Sequence, residues 1–457
     1  VMLAPPSALL RSRWRRAMAV TPVLFAALVV ACAPTTPRTG APAPAEAAGA
    51  PVYPGAEWER HRSPEAAGWS SAGLDSVRSA LRALPTTGFM AVSGGRVLME
   101  YGNLDTLSYL ASVRKSVLSM LFGRYVADGT IRLDRTLAEL GIDDHQRLTA
   151  AEKRATVRDL LSARSGVYHP ASNSGDNLAD APPRGSQEPG AYYLYSNWDF
   201  NALGTVFEQA TGRDIYDALE TDLARPIGMQ DFDRSRQKKT GDLTRSMHPA
   251  YHMHLSTRDM ARLGYLMLRD GVWEGRPLVP AEWVRESTRL VTPRSEMNPA
   301  SRRSSQFGYG YLWWVFDDPD LGPEYDGAYA AHGAIGQHIL VVPALDLVVA
   351  HKTAPGQGAR VSHEEFHGVA RMLIEAHCGA ACPSAATAAA SAGAGPTGPP
   401  ASGTARLPNR PPNRPPAAHR VAVARFSHET CTFCPGGDTG VEDWLRAGAP
   451  QRGEELL

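Results

Sequence analysis

Leu74, Val77, Leu81 and Leu84 recur at helical spacing and Pro85 closes the run, which predicts an amphipathic helix. Two short runs follow, residues 89–92 and 96–101, flanking Ser93-Gly94-Gly95 in the pattern of a β-hairpin. From Ser112 the chain turns apolar-rich and helical toward Ala127, stopping at Asp128-Gly129. The far end mirrors the near end. Residues 309–316, 337–342 and 347–351 predict strands, the last two joined at Pro343-Ala344-Leu345-Asp346. A closing helix begins at Ser362 and Glu365, spaced as a capping box, with Phe366, Val369 and Leu373 on one face. Strands at both ends with helices between predict an α/β (α+β) domain. It has one antiparallel sheet built from both termini, flanked by terminal helices, plus a helical subdomain, with a groove between the two parts.

Composition sets the boundaries. Arg11, Arg13, Arg15 and Arg16 precede an apolar stretch from 17 to 30, short for a transmembrane helix and suited to a signal peptide. The stretch ends Val29-Val30-Ala31-Cys32, which resembles a bacterial lipobox. Residues 1–32 therefore predict a lipoprotein-type signal, with Cys32 lipidated and the protein anchored to a membrane facing the periplasm or cell exterior. Residues 33–57 and 379–418 are Ala/Pro-rich, poor in large apolar residues, and read as tether and linker around a domain at 58–378. Lys plus Arg and Asp plus Glu number 47 each, so no net field favours a nucleic-acid partner. The five cysteines are Cys32, Cys378, Cys382, Cys431 and Cys434, so none lies between residues 33 and 377, and that stretch offers no thiol nucleophile and no thiolate metal site. Cys378 and Cys382 are compatible with a small disulfide loop or with free thiols.

The chemistry concentrates at Ser112-Val113-Arg114-Lys115. A hydroxyl and an ammonium three residues apart share one helix face, and a lysine whose pKa is depressed can take the serine's proton. Ser235-Arg236-Gln237-Lys238 repeats the spacing in a polar run and reads as a solvated loop. Tyr195-Ser196-Asn197 supplies a phenol that can relay a proton and an amide that can hold a substrate carbonyl. Tyr101-Gly102-Asn103 has the same form at a strand end. His248, His252 and His254 cluster without a carboxylate at ligand spacing, so no metal site is expected.

These pieces, with Leu160-Leu161-Ser162-Ala163-Arg164-Ser165-Gly166, Pro226-Ile227-Gly228-Met229, Asp259-Met260-Ala261-Arg262-Leu263-Gly264, Gly308-Tyr309-Gly310-Tyr311 and residues 333–349, resemble the class C β-lactamase-like serine hydrolases. That superfamily also holds D-alanyl-D-alanine peptidases, carboxylesterases and 6-aminohexanoate-dimer hydrolase. The resemblance implies a β-lactamase/transpeptidase-like fold and a covalent acyl-enzyme without metal or cofactor. It implies Ser112 as nucleophile, Lys115 as base, Tyr195 as proton relay and Asn197 as a substrate-positioning group. The strand edging the groove departs from the Lys-Thr-Gly of class C β-lactamases and reads Ala331-His332-Gly333. Gly333 admits substrate, the N–H groups of Ser112 and Ala334 form the oxyanion hole, and His332 either replaces the lysine or fills the groove wall. The missing lysine points toward a small ester or amide as substrate. A β-lactamase, a D-alanyl-D-alanine peptidase and a non-catalytic cell-wall peptide-binding module are the alternatives. Residues 419–457 resemble the opening of microcystinase C-like metallopeptidases, cut short before a core could form.

Overall fold

The computed structural model describes residues 51–354 and 359–382. Residues 1–50, with Cys32 and the signal, and residues 383–457, with most of the linker and the C-terminal fragment, lie outside the described residues.

Helix α1, Ser71–Arg82, starts where the Ser70 side chain accepts the Gly73 N–H, and buries Leu74, Val77 and Leu81. Strands β1, Gly88–Ser93, and β2, Arg96–Gly102, form the expected hairpin. Helix α2, Val113–Ala127, is buried on nearly every side, the mark of a central rather than a surface helix. Helices α3, Asn197–Thr211, and α4, Thr257–Leu268, follow within the long insertion. The chain then returns to the sheet as β3, Phe307–Tyr309; β4, Trp314–Phe316; β5, Tyr329–Gly333; β6, Gln337–Val342; and β7, Leu347–Lys352. Helix α5, His363–Glu375, closes the domain behind a complete Ser362/Glu365 capping box.

The sheet runs β2-β1-β7-β6-β5-β4-β3, antiparallel throughout, so both ends of the domain meet at the β1–β7 pairing. One face packs on α1 and α5 through Leu74, Val77, Ala330, Leu340, Val349, Phe366 and Leu373. The other packs on α2 and α4. There α4 comes so close that a Cβ on Gly264 would stand 2.5 Å from Val348 Cγ1. Glycine is what permits the approach.

Three expectations are corrected. Residues 309–316 are not one strand but two. The segment between β3 and β4 reverses direction with Leu312 at φ 65°, and its carbonyls are held by α2. Ser116 Oγ donates to Leu312 O at 2.6 Å and Ser119 Oγ to Tyr311 O at 2.8 Å. Residues 52–57 belong to the domain rather than to a tether. Tyr265 Oη donates to Val52 O at 2.8 Å, Arg262 Nη2 to Gly55 O at 2.8 Å, and the Tyr53 ring packs against Trp273. The C-terminal boundary also extends, through a Cys378–Cys382 disulfide. No described helix is long and apolar enough to cross a membrane.

Candidate active site

Ser112 is the N-cap residue of α2, yet its side chain caps no backbone N–H, so its oxygen is not committed to the helix. Ala111 before it sits at φ 49°, a left-handed conformation that costs a non-glycine residue about 1–3 kcal/mol. That bend brings the chain out of Leu110 and into the helix with Ser112 half-buried at the junction. One turn along, Lys115 is 2 % exposed and its Nζ donates to Ser112 Oγ at 2.8 Å and to Tyr195 Oη at 2.6 Å. Tyr195 arrives from the segment before α3, where Ser196 accepts the Asp199 N–H as N-cap. Ser112, Lys115 and Tyr195 thus converge from positions 80 residues apart in the chain.

Electrostatics favour a neutral amine here. Burial is the main cause holding Lys115 well below its usual 10.5, and the Arg114 and Arg302 guanidiniums push the same way while Asp176 opposes them. Burial also pushes the Tyr195 phenol up to about 12, against a hydrogen bond with Ser112 that lowers it. A neutral amine next to a hydroxyl can accept its proton, and a protonated phenol alongside can pass one onward. Sequence reasoning singled out neither arginine. Arg114 is buried on the ring of Tyr251 at 4.2 Å and donates to Asn201 Oδ1 at 3.1 Å. Arg302 lies 5.7 Å from the ring centres of both Tyr195 and Trp314 and donates to Asn177. Arg114 stood inside the motif. Arg302 sits in a polar run with no local signal.

The groove edge is formed by β5. A Cβ on Gly333 would fall 2.6 Å from Leu110 O and 3.2 Å from the Ala111 Cβ, so only glycine lets this strand end lie against the backbone that leads into Ser112. Ala334 follows, exposed in the turn to β6. Ala331 faces α2 and is fully buried.

Two predicted substrate groups, His332 and Asn197, are buried. His332 alternates to the opposite face from Ala331 and is 5 % exposed. Its Nε2 lies 2.9 Å from His367 Nε2, and Trp314 stacks both on its ring at 5.5 Å and on Tyr195 at 5.7 Å. An indole therefore stands between His332 and the Ser/Lys/Tyr cluster, which accords with the wall-filling reading of His332 rather than with a replacement for the lysine. Asn197 is 2 % exposed, and its Nδ2, the donor that would hold a substrate carbonyl, donates to Ser174 O at 2.8 Å. Its Oδ1 is buried with no hydrogen-bond partner.

The repeats of the motifs fall elsewhere: Ser235 lies in a single 3-10 turn at 234–236 with Lys238 opening a short strand, and Tyr101-Gly102 end β2. Ser235 is exposed and donates to Asp233 at 2.6 Å. Asn103 accepts from the Asp105 and Thr106 N–H groups in a turn of its own. His248 is tied to Thr205 and the Asp143 carbonyl, and His252 packs edge-on to Tyr109 at 5.0 Å.

With this geometry in view, the comparisons are direct. The sequence profile of the Beta-lactamase family matches residues 74–353. An uncharacterised protein of Alkalihalophilus pseudofirmus is 22 % identical over 266 residues, covering 53 % of this chain and 72 % of that protein. Esterase EstB of Burkholderia gladioli is 30 % identical over 162 residues, covering 30 % of this chain and 40 % of the esterase. Among solved structures, a proposed 6-aminohexanoate-dimer hydrolase from Bacillus anthracis superposes with a TM-score of 0.51 at 20 % identity. It covers 66 % of this chain and 81 % of the other. At that identity the likeness is one of fold.

Proposed function

Because the chain belongs to the Beta-lactamase family, we propose that it is a serine hydrolase that acylates Ser112 and cleaves a small ester or amide. One observation carries the reading: Lys115 Nζ lies 2.8 Å from Ser112 Oγ and 2.6 Å from Tyr195 Oη in a buried site that favours the free amine. In the proposed sequence Lys115 takes the Ser112 proton as Oγ attacks the substrate carbonyl. The backbone N–H groups of Ser112 and Ala334 hold the oxyanion. Collapse of the intermediate breaks the bond to the leaving group, and the proton on Lys115 reaches that group through Tyr195. Water then repeats the attack on the acyl-enzyme, releasing the acid and regenerating Ser112.

The ester preference rests on the groove edge. A β-lactam carboxylate needs a cation there, worth about 1.5–3 kcal/mol in a charge-assisted hydrogen bond, and Ala331 and the inward-turned His332 supply none. Short-chain p-nitrophenyl esters are expected to be turned over with kcat/KM at least ~10-fold above that for penicillins or nitrocefin. A panel of these substrates with D-Ala-D-Ala peptides measures this, and a preference for penicillins overturns the esterase reading in favour of a β-lactamase.

We place the enzyme outside the cytoplasm, anchored by lipid at Cys32, a reading supported by the lipobox-like Val29-Val30-Ala31-Cys32 and by the Cys378–Cys382 disulfide. Cys32→Ser is expected to move the protein from the membrane fraction to the soluble one. Unchanged membrane association in that variant rules out the anchor.

A further inference from the structure

His332 and His338 are direct cross-strand partners on β5 and β6, so their side chains leave the same face of the sheet. That face is covered by α5, which brings two more histidines, His363 and His367, one helical turn apart. The His363 ring stacks on His332 at 4.7 Å and meets His338 edge-on at 5.0 Å. One ring nitrogen from each of His332, His338 and His363 lies within 4.8 Å of the other two. We propose that these three side chains bind one transition-metal ion of the zinc type, joining α5 to β5 and β6 on the face of the sheet turned away from Ser112.

His338 carries the argument furthest. It is 0 % exposed, and neither ring nitrogen has a hydrogen-bond partner. A neutral imidazole has a lone pair on one nitrogen and a proton on the other, and leaving both dry is unfavourable. His351, the next histidine along the same row and the cross-strand partner of His338, shows the contrast. Its Nε2 meets Thr86 Oγ1 at 2.9 Å and its Nδ1 meets Gly336 O at 2.7 Å, so it is fully satisfied without an ion.

The donor set selects the ion class. No carboxylate belongs to the group, so the imidazoles favour zinc, cobalt, nickel or copper over calcium or magnesium. Ligation requires unprotonated rings, and burial, joined by neighbouring histidines and by Arg302 and Arg371, holds all four histidines below their usual range. Those two arginines also oppose a cation, which again leaves only a strongly imidazole-seeking metal. Zinc–nitrogen bonds of about 2.0–2.1 Å at tetrahedral angles put ligand nitrogens roughly 3.3 Å apart. The three nitrogens stand within 4.8 Å of one another, so binding requires the rings to turn toward a common centre. His367, whose Nε2 lies 2.9 Å from His332 Nε2, is placed to orient His332, and Phe307 and Phe366 pack around the rings. His363 is only partly buried and gives the ion its way in. This site stands or falls independently of the hydrolytic reading.

The test uses the full chain stripped of metal with a chelator. Titration with zinc chloride by calorimetry is expected to show one equivalent bound, with a raised Tm. Cobalt chloride is expected to give the visible bands of a tetrahedral nitrogen site. His363→Ala, at the start of α5, and His338→Gln are each expected to weaken zinc binding at least ~100-fold, beyond the effect of losing a supporting group. Ester turnover at Ser112 is expected to change less than about 3-fold in His363→Ala. The double variant Cys431→Ser/Cys434→Ser is expected to bind zinc as the parent does. Absence of stoichiometric binding overturns the proposal. So does binding that survives in His363→Ala, or a cobalt spectrum with thiolate charge-transfer bands that vanish with the two cysteines.

Discussion

Ser112→Ala is expected to lower kcat for p-nitrophenyl esters by on the order of 10⁴–10⁶-fold and to abolish labelling by a fluorophosphonate probe. The size follows from what remains. The other hydroxyls near Lys115 are committed elsewhere, Ser116 to Leu312 O and Tyr195 to the lysine itself, and water held in place of Ser112 Oγ attacks far more slowly than an oriented alkoxide. Stability should barely move, because Ser112 Oγ caps nothing and the residue is half-buried. A loss of activity at unchanged Tm therefore separates chemistry from misfolding. Ser235→Ala is the internal control. Ser235 has the same spacing to Lys238 but is exposed and bonded to Asp233, so both turnover and labelling should match the parent. Labelling that persists in the Ser112 variant, or vanishes in the Ser235 variant, removes the proposed nucleophile.

The contrast between those two serines shows why so much was legible in the sequence. Both motifs have the spacing, but only Ser112 is followed by a run of apolar residues long enough to bury a helix. A lysine one turn into such a helix is forced into the interior. Local periodicity likewise predicted α1, the β1–β2 hairpin and the α5 capping box, because each depends on neighbours a few residues away. The misplaced features depend on distant partners. Residues 309–316 form an apolar, aromatic run that reads as a strand, yet Ser116 and Ser119 of α2 bond to the Leu312 and Tyr311 carbonyls where the chain reverses. Residues 52–57 look like tether by composition, but their carbonyls are acceptors for Arg262 and Tyr265, more than 200 positions on. Sequence left two readings of His332 open because the face it occupies follows from strand register, and Trp314 stands between it and Tyr195. The histidine cluster shows the same limit. His363 and His367 have a readable helical spacing, but their meeting with His332 and His338 is set by how α5 crosses the sheet.

Lys115→Met is expected to cost on the order of 10³-fold or more in ester kcat/KM while raising the Tm at neutral pH. Methionine fills the space of the aliphatic stem but brings no charge into a site that is 2 % exposed. Ser112 Oγ and Tyr195 Oη both lie within 2.8 Å of the vacated amine, and Ser112 is only half-buried, so the two hydroxyls can turn to each other or to water. The sign of the pH dependence is fixed by linkage. Lys115 in the folded protein has a pKa well below the 10.5 of the unfolded chain, so between those two values the unfolded state binds the extra proton. The lysine's destabilising effect is therefore full below its folded pKa and fades as pH rises toward 10.5. Thermal melts of parent and variant should accordingly converge as pH increases across that window, with the variant ahead at the acid end. Ester turnover by the parent should fall on the acid side of the same folded pKa, since a protonated amine cannot accept the Ser112 proton. Burial sets both limits, so the acid limb of turnover and the onset of convergence in Tm should coincide in pH. A variant less stable than the parent at neutral pH, or an acid limb unrelated to the melting data, means that Lys115 is not the buried base.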